Sequence, residues 1–136
     1  MITLALDLGA ALSAISVIFG VAAVHMGSAN TKIQAALDLP SLPAAQKEAR
    51  KTQKRVVLST FWVSALPSVL ILLTLGIAML PQVVSNILVL SFQLWDLELL
   101  PTLFQLLFVL VLFYFVASLT NAVKLLNKSR EYAESK

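Results

Sequence analysis

From Val56 to Leu80 the chain runs for 25 residues without an Asp, Glu, Lys or Arg. As a helix rising about 1.5 Å per residue, that stretch exceeds the roughly 30 Å of hydrocarbon in a bilayer. Two more stretches are nearly as apolar: Leu4 to Met26, and the interval between Glu98 and Lys124. The whole chain is 59% hydrophobic and 12% charged, with a mean hydropathy of +0.89. A soluble domain is about half apolar and about a quarter charged. A chain of 136 residues could not bury so much apolar surface in water. The expected fold is an all-α integral membrane protein with three transmembrane helices over approximately 4–26, 56–80 and 101–122.

Basic residues set the expected orientation. Lys32, Lys47, Arg50, Lys51, Lys54 and Arg55 lie in the connector, 27–55. Lys124, Lys128, Arg130 and Lys136 lie in the tail, 123–136. Three spans place all ten on one side, whereas four would split them, so the positive-inside rule favours three. The N-terminus is then outside and the C-terminus cytoplasmic, in a plasma membrane such as the bacterial inner membrane. The first twenty residues contain no Lys or Arg, unlike the basic start of a secretory signal, and are expected to remain as a span.

The segment 81–100 is expected to lie along the outer face as an interfacial helix. Pro81 and Pro101 bracket it, and proline discourages a continuous helix. Gln82, Ser85, Asn86, Gln93 and Asp96 form one polar stripe on an otherwise apolar helix, as an interfacial helix requires. Trp95 suits the headgroup belt. A shallow re-entrant hairpin is the rival geometry.

In the connector, Ile33, Ala36 and Leu37 form a short apolar face before Pro40. Ser41 is a candidate N-cap and Pro43 a first-turn residue. A helix is therefore expected from about Leu42, running straight into the second span as a cytoplasmic stalk. Lys47, Arg50, Lys51, Lys54 and Arg55 give it a basic face. That face meets anionic headgroups, at about 1 kcal/mol per residue, or docks an acidic partner.

Within the first span, Gly9, Ser13, Ser16, Gly20, Ala23 and Gly27 recur every three or four residues and line one face. Small residues let helix backbones approach closely, which drives association in lipid. This face is expected to pack against another helix, in the same chain or a neighbour. Asp7 and His25 lie on the opposite face. Ionisable groups in a span are functional candidates, but Asp7 suits the positive end of a helix and His25 the headgroup level. In the second span, Pro67 predicts a kink, with Ser64 and Ser68 able to satisfy the freed backbone groups. The third span is rich in Phe and Leu, and the tail is expected to extend its helix beyond the bilayer.

Catalytic chemistry is not expected. With one His and no Cys, the chain lacks a His- or Cys-rich metal set, a bis-histidine haem site, H-E-x-x-H, G-x-S-x-G and a Gly-rich phosphate loop. No resident cofactor and no metal are expected. The basic residues adjoin apolar spans, which argues against nucleic acid. Expected partners are membrane lipids, including anionic headgroups, and other membrane subunits or copies of the same chain. The function these features suggest is a small non-catalytic subunit of a larger membrane complex. One alternative is a self-assembling pore: the order of spans and the basic cytoplasmic tail resemble three-span phage holins, in layout alone. Another is a small membrane regulator or immunity protein.

Overall fold

The computed structural model describes residues 2–89 and 99–133, with side chains over 9–88 and 101–133. All its regular structure is helical. Helix α1 spans Ile2–Leu37, α2 spans Lys47–Thr60, α3 spans Leu66–Val89 and α4 spans Leu99–Glu131. A π-helical turn over Phe61–Ala65 joins α2 to α3 without a break. The described residues thus form three long rods, each long and apolar enough to cross a membrane.

Helix α1 continues eleven residues past the expected end of the first span, because nothing stops it at Gly27. Ala29, Ile33 and Ala36 carry the buried face of Ala22 and Met26 onward at three- and four-residue spacing. The helix ends where Pro40 forbids another turn, with the Asp38 N–H still bonded to the Gln34 carbonyl at 2.9 Å. The stalk helix begins later than the sequence suggests. It starts at Lys47, with Gln46 rather than Ser41 preceding it and no side-chain cap. The carbonyls of Leu39 and Pro40 are held by Lys128 of α4 and by Tyr132 just past its end, and that tertiary grip keeps 38–46 out of the helix.

Two further expectations change. Pro81 lies inside α3, which runs on to Val89, so residues 81–89 prolong the second rod and the helix boundary expected at Pro81 is not there. Pro81 is exposed, and apolar helices tolerate a missing N–H where local adjustment satisfies the carbonyl. Gln82 Nε2 donates to Asn86 Oδ1 at 3.1 Å one turn on. Gln93, Trp95 and Asp96 lie outside the described residues. Helix α4 begins at Leu99, with Pro101 in its first turn, where no intrahelical donor is needed. Its extension through the tail to Glu131 is as expected.

Two apolar clusters hold the rods together. In one, Leu72, Leu75, Met79 and Val83 of α3 pack with Met26, Phe104 and Val111. In the other, Ala29, Ile33 and Ala36 meet Val57, Ala65, Ala122, Leu125 and Tyr132. The second lies where the ends of α1 and α4 meet α2, termed here the basic end.

The π-turn is the structural answer to Pro67. An α-helical Pro67 would press its ring on the Val63 carbonyl. The wider turn instead bonds the Leu66 N–H to the Phe61 carbonyl, five residues back, a common device at a break in the ladder. Ser64 and Ser68 are both buried here, and the Ser68 hydroxyl donates to the Ser64 carbonyl at 2.8 Å. Ser68→Ala should therefore cost about 1 kcal/mol, the usual worth of one such bond, read as a lowered unfolding midpoint in detergent. An unchanged midpoint would mean that the turn does not use it.

Candidate functional site: the basic end and the open face of α1

The basic end is built by cations that cap the helices of others. A helix leaves its last carbonyls without intrahelical partners, and these ends carry partial negative charge. Lys128 on α4 reaches the end of α1, its ammonium donating to the Leu37 carbonyl and to the Leu39 carbonyl, the latter at 2.6 Å. Arg50 on α2 does the same for α4, donating from Nη2 to the Glu131 carbonyl at 2.8 Å. Tyr132 completes the clasp by donating its hydroxyl to the Pro40 carbonyl at 2.8 Å. Burial, together with the Glu131 carboxylate, pushes its phenol above the ordinary value of 10.0, while Arg50 pulls the other way. The hydroxyl therefore stays protonated and donating at neutral pH.

This arrangement corrects the expected basic face. Arg50 is only 9% exposed and turns inward to cap α4, so it does not share the exposed face of the other stalk cations. Lys47, Lys51 and Arg55 are exposed and Lys54 half-buried. Sequence reasoning missed the roles of Lys128 and Tyr132. A lone tyrosine in a polar tail was the available signal. Trp62, 60% exposed at the π-turn and edge-on to Phe61 at 5.6 Å, was missed as well. An exposed indole seven residues beyond Arg55 suits the level where hydrocarbon meets headgroups.

The small-residue face of α1 forms a strip along one side of the helix. Ser13, Ser16, Gly20 and Gly27 are exposed, and Gly9 and Ala23 half-buried. A Cβ placed at Gly9, Gly20 or Gly27 would meet nothing within 4 Å. The chain packs mainly a neighbouring face, through Leu12, Ile15, Phe19 and Met26, with Ala23 the one strip residue that joins them. His25 is exposed, and the Asp7 side chain lies outside the described residues. Among the described residues no three of His, Cys, Asp and Glu come together in a way that could hold a metal. Compared with family models, curated proteins and solved structures, the chain matches none.

Proposed function

We propose that this protein is a non-catalytic integral membrane subunit that binds other membrane polypeptides along α1. The observation that carries the reading is the exposed row of Ser13, Ser16 and Gly20 in the strip from Gly9 to Gly27, with open space at Gly20 and only Ala23 of the strip packed against the chain's own core. In lipid, apolar surface alone does not draw helices together, whereas close backbone approach at Gly, Ala and Ser does. A row of such residues left uncovered is surface complementary to a second helix. The basic end faces the cytoplasm, which puts every Lys and Arg on one side of a bacterial inner membrane. Lys47, Lys51, Lys54 and Arg55 then meet anionic headgroups, while Arg50 and Lys128 hold the end together.

The test is the native mass of the tagged protein after extraction from its own host in mild detergent. A defined mass containing other membrane polypeptides is expected. A lone monomer would overturn the reading. A ring of identical copies would replace it with a self-assembled pore, and conductance across planar bilayers would then be measured.

A further inference from the structure

Between α1 and α4, just above the basic end, lies a cleft of about 330 Å³. Ala23, Gly27 and Asn30 form one wall and Tyr114, Ser118 and Asn121 the other, over a floor that includes Ala65 and Ser68. The two walls share one spacing, four residues and then three, so each presents a single helical face. The α1 wall is mostly small, which leaves the room. The α4 wall is polar, which is costly in a hydrocarbon solvent unless the groups are satisfied.

Among the described residues those polar groups find no hydrogen-bond partner. Thr60, Thr74 and Thr120 each donate their hydroxyl to a carbonyl of their own helix, at 2.9, 2.9 and 2.8 Å. Among the described residues the Tyr114 and Ser118 hydroxyls and the Asn121 amide have no such partner. Tyr114 is held by ring contacts alone, edge-on to Phe19 at 5.9 Å and to Phe113 at 6.0 Å. Three residues beyond Asn121 comes Lys124, exposed and the first cation on α4. At about 1.5 Å per residue, Asn121, Ser118 and Tyr114 stand about 4.5, 9 and 15 Å from it along the axis.

We propose that this cleft binds one phospholipid by its glycerol–ester region, with the phosphate toward Lys124. The ladder matches the order of groups in such a molecule: a cation at phosphate depth, amide and hydroxyl donors at ester depth, then aromatic rings beside the first methylenes. Size separates this occupant from a partner helix. A volume near 330 Å³ is that of a small-molecule pocket, and a helix about 10 Å across would ride over the opening without reaching its floor. The site shares Ala23 and Gly27 with the α1 strip, whereas Gly9, Ser13, Ser16 and Gly20 lie toward the opposite end, so substitutions at Gly9 or Gly20 separate the subunit role from the lipid site.

Native mass spectrometry of the full chain tests it, with phosphatidylglycerol or phosphatidylethanolamine added at controlled ratios and annular lipid stripped by collisional activation. The wild-type chain should keep one phospholipid. Gly27→Leu fills the cleft, and its Cβ meets no atom within 4 Å, so the chain should fold yet lose the adduct by about tenfold or more, roughly 1.4 kcal/mol in binding. Asn121→Leu should act the same way without adding bulk to α1, and Lys124→Gln should remove any preference for the anionic lipid. Gly9→Leu, the same change far from the cleft, should leave the adduct intact. No retained lipid in the wild type, equal retention in Gly27→Leu and Asn121→Leu with unaltered unfolding midpoints, or a polypeptide in place of the lipid would each overturn the assignment.

Discussion

Replacing Lys128 with methionine should destabilise the folded chain by about 2–3 kcal/mol and loosen the end of α1 first. Methionine keeps most of the unbranched stem but removes the ammonium. The Leu37 and Leu39 carbonyls that it binds are then left without that donor. A part-buried carbonyl that loses its partner costs about 1–3 kcal/mol, and a cation at a helix C-terminus adds up to about 2 kcal/mol in partly buried geometry. The two overlap, since the same bonds carry both, so they do not sum. Hydrogen exchange should rise over residues 30–40 before it rises in α3. Lys124→Met is the control, because Lys124 is exposed and such changes stay within about 0.5 kcal/mol. Equal behaviour of the two variants would mean that Lys128 is an ordinary surface cation.

Gly20→Leu should abolish association while leaving the isolated chain as stable as before. Within the chain there is open space at Gly20, so the added side chain displaces nothing and remains suited to lipid. A partner helix lying on the strip would be held off by that side chain at the point of closest approach. The loss should be at least about tenfold in apparent affinity, or about 1.4 kcal/mol. It would be read as dissociation of the complex on native gels at equal expression. Retained assembly would place the interface elsewhere on the molecule. A fall in monomer stability would instead mean that α1 packs inside the chain through this strip.

These two outcomes depend on features of unequal legibility. The three rods follow from composition, because an uncharged stretch such as Val56–Leu80 has few alternatives to a helix in lipid. Their lengths were less legible. Gly27 and Pro81 read as boundaries in isolation, yet α1 passes the first and α3 the second. A glycine ends a helix only when the chain needs to turn there, and the apolar face continues through Ile33 and Ala36. The π-turn was visible only as an expected irregularity at Pro67, since the sequence does not say how the missing donor is accommodated. The strip on α1 was legible as a face, but not whether the chain would cover it. That depended on Leu12, Ile15 and Phe19 winning the contact with α3 and α4. Least legible was the basic end. Lys128 and Leu37 are 91 residues apart, and Arg50 looked like one of five equivalent cations. Its inward turn is set by where α4 happens to end.

The cross-capping also has a consequence in time. A ribosome releases α1 and the stalk helix long before it adds Lys128, whose ammonium closes the end of α1. Until then the Leu37 and Leu39 carbonyls must be served by water, and the two earlier rods can sit in the bilayer without a fixed junction. Completion of the last helix therefore fastens the first. A chain interrupted shortly before residue 128 would carry the three apolar rods and still present a loose end to a protease, so a finished copy and an unfinished one differ at the basic end.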